Sequence, residues 1–314
     1  MDTLQPSPVR FIDIASDYAG QRIDNFLLHT LKGVPKSRIY RTLRKGEVRV
    51  NKARVRPDYR LQAGDRIRIP PLREGAKEAS SIAIPGGVLE RLAAAVLWED
   101  RDVLVLNKPA GIAVHKGSGL DFGVIDAVRK IRPHASFLEL AHRLDRETSG
   151  CLILAKSMVA LRAIQAALQS GNMDKRYLAL VNGSWTHGAI DVAANVRKVL
   201  RGGERMVEVA ADGKPAHSQF RVVSLFRQAS LMEVTIATGR THQIRVHAAY
   251  CGHPIVGDTK YGDAEFNRRL ARQGLKRLFL HAHSIYLQLG GREISVSAPF
   301  DESFEEALKL LKRM

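Results

Sequence analysis

Two short strings concentrate the residues that could do chemistry. The first is His142-Arg143-Leu144-Asp145-Arg146-Glu147-Thr148-Ser149-Gly150, which sets one aspartate between two arginines. Nearby cations keep a carboxylate ionised. An ionised carboxylate can act as a nucleophile or a base. The same string also describes a surface salt bridge or a turn, and composition alone favours that. The second runs from Thr238-Gly239-Arg240-Thr241-His242-Gln243-Ile244-Arg245-Val246-His247 to His253-Pro254-Ile255-Val256-Gly257-Asp258 and Lys260-Tyr261-Gly262. If Thr241 caps a helix, Arg240 projects from a strand–helix junction as a fixed cation. The plain alternative is a capped helix with a solvated arginine.

Other chemistries find little support. His242 and His247 are five apart, the wrong spacing for two ligands on one helix face. His281 and His283 share a strand face but have no obvious third ligand, so the histidines read as structural or as contacts to a bound partner, with no metal site. A hydrolase built on Asp145 and His142 is a further alternative. Residues so close in sequence rarely meet as a dyad, and the chain has no G-x-S-x-G elbow. Walker A, dinucleotide, HExxH and paired CxxC patterns are also missing, so no cofactor and no metal are expected. Cys151 and Cys251 are too few for a disulfide framework and read as free thiols packed in the core of a cytoplasmic protein.

These strings must be carried by folded elements. Asp145 sits on a polar loop just before the aliphatic run Cys151–Ala155. Val103–Leu106 is another such run, closed by Asn107-Lys108-Pro109-Ala110-Gly111. Ser157 can cap a helix with Leu161, Ile164 and Leu168 in register, which Gly171 stops. Arg176–Val181, Ser218–Phe226, Leu231–Ala237, Leu278–Leu289 and Arg292–Ser297 read as strands, and Asp301 can cap a last helix. Strands outnumber helices without a regular βαβ rhythm. The fold class is therefore α+β, with a mixed, largely antiparallel sheet.

The front of the chain has a different character. The net charge is +17 and the pI about 10.2, which implies a polyanion partner. Residues 32–60 hold eleven Lys/Arg against Glu47 and Asp58. Arg22–Leu31 reads as a helix with Ile23, Phe26, Leu27 and Leu31 on one stripe. Ser37 can cap a second helix, with Ile39 and Leu43 inward. On it Arg38, Arg41 and Lys45 share a face suited to phosphates, with Lys36 and Arg44 beside them. Short strands follow at Val48–Val50 and Arg66–Ile69, each alternating arginine with an aliphatic residue. Residues 73–90 are rich in small and polar residues and end near Pro85-Gly86-Gly87, as a flexible connection would.

The run AGQRIDNFLLHTLKGVPKSRIYRTLRKGEVRVNKARVRPDYRLQAGDRIRIPP, residues 19–71, resembles the S4 RNA-binding domain. The strings DVLVLNKPAGIAVH, HRLDRETSGCLILAKS, KRYLALV and TGRTHQIRVHAAYCGHPIVGD..YG, in this order, resemble the ribosomal large-subunit family of pseudouridine synthases. Together the likenesses span the chain from about residue 10 to its end. They imply a tail and first strand over 1–18, an S4-like domain over 19–72, a linker over 73–90 and a catalytic domain over 91–314. They also imply isomerisation of uridine to pseudouridine in large-subunit RNA. Asp145 would be the catalytic carboxylate, Arg240 the cation that holds it, and Tyr177 the group that packs on the uracil and helps remove its C5 proton. Without the likeness, Tyr177 reads as a strand tyrosine filling core. Arg143 would help extrude the base. Lys36, Arg38, Arg41, Arg44 and Lys45 would grip the RNA. The expected partner is large-subunit ribosomal RNA or an assembly intermediate, with no membrane, and the expected state is a monomer. A sister enzyme acting on other ribosomal or transfer RNA uridines, and a non-catalytic RNA-binding assembly factor, remain as alternatives.

Overall fold

The computed structural model describes residues 8–31, 33–72, 83–116 and 121–313. The first unit comprises β1 (Arg10–Asp13), α1 (Ile23–Thr30), α2 (Lys36–Lys45), β2 (Arg49–Val50), β3 (Ala53–Arg54) and β4 (Arg66–Ile69). The strands form a sheet in the order β1-β4-β2-β3. Two short helices cannot bury their stripes alone. Ile23, Phe26, Leu27, Ile39 and Leu43 therefore pack with Val50, Ile67 and Ile69 into a core of their own. Ser37 does not cap α2: the helix starts at Lys36, directly after an extended Pro35, and has no side-chain cap. A proline's fixed φ and missing N–H suit a helix start without one.

The rest of the described chain begins with α3 (Gly86–Ala94), β5 (Val96–Glu99), β6 (Val103–Lys108), α4 (Val124–Ile131) and β7 (Glu139–Leu140). The connection expected over 73–90 is thus helical from Gly86. Val88, Leu89 and Leu92 fall on one side and pack into the main core, which outweighs the two glycines. Residues 73–82 lie outside the described residues. Then come β8 (Ser149–Ala155), α5 (Met158–Ser170), β9 (Met173–Asn182), β10 (Ile190–Ala193), β11 (Val196–Arg201), β12 (Glu204–Val209), β13 (His217–Leu225) and β14 (Ala229–Ile236). The chain closes with α6 (Gln243–Tyr250), α7 (Ala264–Ala271), β15 (Leu280–Leu289), β16 (Arg292–Ser297) and α8 (Glu302–Arg313).

One ten-stranded sheet runs β10-β13-β14-β9-β15-β8-β6-β5, with β16 beside β15 and β7 beside β8. Its one parallel pairing among the described residues joins β15 to β8; the rest is antiparallel. Gly150 sits in that junction at φ +108, where a Cβ would lie 2.2 Å from the carbonyl oxygen of Ala282. Only glycine allows this approach, which brings the start of β8, and the loop before it, to the middle of the sheet. Ser157 caps α5 by accepting the Ala160 N–H, and Asp301 caps α8 by accepting the Phe304 N–H. No helix among the described residues is long and apolar enough to cross a membrane.

Candidate active site

Asp145 lies on the loop between β7 and β8, and this loop is held by contacts on both sides of it. Leu144 is buried in the main core. Arg146 exchanges two hydrogen bonds with Gly111: its carbonyl accepts the Gly111 N–H at 2.9 Å, and its Nε donates to the Gly111 carbonyl at 3.0 Å. Beneath lies Lys108, fully buried, whose Nζ donates to the carbonyls of Pro109, Ile112 and Arg146 at 2.7, 2.9 and 3.0 Å. Three acceptors match the three N–H bonds of an ammonium. Burial nevertheless pushes the Lys108 pKa down to about 7, against the pull of Glu147 and Asp145.

Lys108 therefore couples this loop to pH. Below about pH 7 it is charged both folded and unfolded, and the cost of burying the charge is fully present. Between about 7 and 10.5 the unfolded chain binds the extra proton, so this group's contribution to stability rises with pH. Lys108→Met is expected to lower stability by about 1–3 kcal/mol through the orphaned carbonyls. The gap from the unsubstituted protein should widen from pH 7 to 9 by at most about 1.4 kcal/mol per unit. Chemical denaturation at a series of pH values checks this, and a gap that shrinks as pH rises would refute it.

The cation beside Asp145 is not Arg240. Arg245, on α6, places Nη1 3.4 Å from Asp145 Oδ2. Its other two nitrogens grip Asp258, with Nε to Oδ2 and Nη2 to Oδ1 both at 2.7 Å. Burial works against the Arg245 charge, but the Asp258 hydrogen bonds and the Asp258 and Asp145 carboxylates outweigh it and raise its pKa. Asp258 is fully buried and also accepts the N–H groups of Lys260 and Tyr261. The preceding Gly257, at φ +76, leaves no room for a Cβ, which would fall 1.7 Å from the Arg277 carbonyl oxygen. Arg240 stays exposed on the rim, donating from Nε to the Pro215 carbonyl at 3.1 Å.

Thr241 does not cap α6. The helix starts after His242, which takes the left-handed conformation, while the Gln243 amide oxygen accepts the Arg240 N–H and the Thr238 hydroxyl. His242 turns its Nε2 toward Asp145 Oδ2 at 3.8 Å. Sequence reasoning passed over Arg245, Asp258, Tyr261 and Lys108. The available signal was an arginine set between Ile244 and Val246 on a helix, since such a charge, once buried, must find a partner.

Tyr177 stands on β9 between Val234 and Ala282, 8% exposed. Burial, then the charge of Asp145, raises its pKa and keeps it a phenol. Asp145, Tyr177, Arg245 and His242 line one cleft of about 90 Å³, with Arg143 and Arg240 also at its wall. Ile236, Ile244 and Leu280 add apolar surface to it. The arrangement offers one partly exposed, cation-held carboxylate beside an apolar and aromatic floor, as a flat ring with a reacting sugar would need.

His142 is no partner for Asp145. Its Nε2 accepts the Ile153 N–H at 3.1 Å, and burial lowers its pKa to about 4. His247 is taken up by Ser218 and the Ala194 carbonyl, and His281 by Ser149 and the Ala298 carbonyl. Among the described residues no group of three or more His, Cys, Asp or Glu side chains is arranged to hold a metal. Cys151 is buried and Cys251 partly so.

A family model described as RNA pseudouridylate synthase matches residues 102–250, and an S4 domain model matches residues 21–67. Two proteins named Ribosomal large subunit pseudouridine synthase C, from Salmonella typhimurium and Escherichia coli K12, are each 50% identical over 317 aligned residues, covering 99% of both chains. The chain belongs to the RNA pseudouridine synthase family. A relative of the same name from Yersinia pestis is 48% identical to the synthase, over 97% of this chain and 96% of its own. Its fold is also that of two human proteins, RNA Pseudouridylate Synthase Domain Containing 4 and 1. These superpose with TM-scores of 0.61 and 0.59 at 24% and 23% identity, covering 72% and 74% of this chain and 96% and 98% of theirs. The α+β class with an S4 domain in front and a mixed, largely antiparallel sheet behind is that of the synthase.

Proposed function

We propose that the synthase isomerises uridines of large-subunit (23S) ribosomal RNA, with Asp145 as its catalytic carboxylate. The observation that carries this is the grip of Arg245 on two carboxylates: buried Asp258 anchors the guanidinium, and its remaining edge faces the partly exposed Asp145. The substrate rests on the relatives, whose names specify the ribosomal large subunit over essentially the full length of the alignment.

The reaction breaks the bond from N1 to C1′, turns the uracil, joins C5 to C1′ and releases the C5 proton. Asp145, with the Arg245 guanidinium 3.4 Å away, serves as nucleophile or as base on the ribose. Tyr177 stacks on the displaced base; its raised pKa favours that part over proton removal. Arg143 and Arg240, both exposed at the cleft wall, meet phosphates as the nucleotide is extruded.

Residues 19–72 supply affinity and 91–314 the chemistry. On α2, Lys36, Arg41, Arg44 and Lys45 are exposed and Arg38 half-exposed. None of the five has an ion-pair partner among the described residues, which leaves them free for phosphate. Neutralising Arg38, Arg41, Arg44 and Lys45 together is expected to weaken binding to long RNA and to flatten its salt dependence by about 0.7 in log–log slope per lost contact. Filter binding from low to moderate salt reads this, and an unchanged slope would remove α2 from the RNA surface. The reading includes a monomer working in the cytoplasm on ribosomal RNA or an assembly intermediate.

Release of tritium from uracil C5, measured on large-subunit RNA fragments and on transfer RNA, tests the whole proposal. Release from the ribosomal fragments is expected. Release from transfer RNA alone would overturn the substrate, and binding without any release would favour an assembly factor.

A further inference from the structure

A chain of contacts enters the cleft from outside the main sheet. β11 and β12 form a separate ribbon whose Val196 and Val207 pack on Val246 of α6. The Val207 N–H donates to the Tyr261 oxygen at 2.9 Å, and that oxygen lies 2.7 Å from His242 Nδ1. The Tyr261 ring carries the Arg245 guanidinium at 5.1 Å from its centroid. His242 itself sits at φ 54, a left-handed backbone that a residue with a Cβ holds only where its surroundings impose it.

The partners of the Tyr261 hydroxyl favour one wiring of this chain. The phenol has one proton, and its oxygen already accepts from Val207. Among the described residues, His242 Nδ1 is the acceptor within reach of that proton. A neutral imidazole that accepts at Nδ1 carries its own proton on Nε2, the nitrogen facing Asp145. Burial lowers the His242 pKa, with Asp145 and Asp258 opposing and Arg245 and Lys260 assisting, so the neutral ring prevails near pH 7.

We propose that Tyr261 is a positioning residue for the isomerisation: its hydroxyl holds His242 as the Nε2–H tautomer and its ring holds Arg245, aiming two donors at Asp145 Oδ2. This rests on Asp145 being the catalytic carboxylate. The 3.8 Å gap from His242 closes when substrate fills the cleft, as catalytic hydrogen bonds commonly tighten on binding.

Three full-length variants test it. Tyr261→Phe keeps the ring under Arg245 and loses the hydroxyl. It is expected to lower kcat for tritium release about tenfold with the KM for RNA unchanged. Long-range proton–nitrogen spectra of histidine-labelled protein should show His242 as Nε2–H before the substitution and as a mixture after it. The His242 signal is assigned by its loss in His242→Gln. His242→Asn keeps an amide toward Tyr261 and nothing toward Asp145, whereas His242→Gln reaches toward Asp145. Gln is expected to stay within about threefold of the parent and Asn to fall about tenfold. A backbone effect would run the other way, because asparagine is the better left-handed residue. An Nδ1–H tautomer in the parent, or full kcat in Tyr261→Phe, overturns the proposal. Should Tyr261→Phe not fold, the Asn and Gln pair decides: equal activities overturn it. Full activity in Asp145→Asn would instead strike the reading of the site while leaving the tautomer result standing.

Discussion

Asp145→Asn is expected to reduce pseudouridine formation by at least about a thousandfold, because an amide is neither nucleophile nor base. The fold should survive it. Asparagine has the same shape, and the loop is held by groups other than the Asp145 carboxylate. Its backbone carbonyl accepts the Thr148 N–H, Leu144 is buried, and Arg146 is clamped to Gly111 and Lys108. Arg245 keeps both bonds to Asp258. A stability change within about 1 kcal/mol follows, and RNA affinity should stay near that of the unsubstituted protein. Single-turnover tritium release with filter binding separates the two quantities. Turnover within tenfold of the original would remove Asp145 from the chemistry.

Arg245→Met strikes both stability and activity. The Arg245 side chain is 8% exposed and that of Asp258 not at all, so removing the guanidinium strands a buried carboxylate. The cost is about 3–5 kcal/mol, a fall in melting temperature on the order of 10 °C. Asp145 also loses its fixed cation, so activity should vanish. Adding Asp258→Asn is expected to restore at least about 1 kcal/mol by discharging the stranded group, with no return of activity. That split would show one arginine serving packing and chemistry through different edges. Arg245→Lys should fare little better than methionine, because a point charge cannot grip Asp258 by two bonds and also reach Asp145. A methionine variant with an unchanged melting temperature would refute the account.

The case of Arg240 and Arg245 shows where reading from sequence stops. Both arginines stand in one string, and a cap at Thr241 would set Arg240 at the strand–helix junction. The chain instead turns left-handed at His242, and the helix starts later. That shift leaves Arg240 on the rim and turns Arg245 inward, a difference of rotation that no residue type announces. The same holds at Ser37, where Pro35 had already started the helix, and at Gly86, where burial of Leu92 made helix from a stretch rich in glycine.

What the sequence by itself determined is what neighbouring residues decide together. The apolar stripes of α1 and α2, the caps at Ser157 and Asp301, the alternation in β4 and the basic excess over 32–60 all lie within a few turns of chain. Asp145 and Tyr177 likewise stand in long strings, and the fold brings both to one cleft. Only the tertiary structure decided who meets whom. Asp145 and Arg245 are 100 positions apart, and Tyr261 reaches back 54 positions to Val207. Such pairs are selected when the sheet closes through the parallel β8–β15 junction at Gly150. Burial then forces each polar group enclosed with them to find a partner.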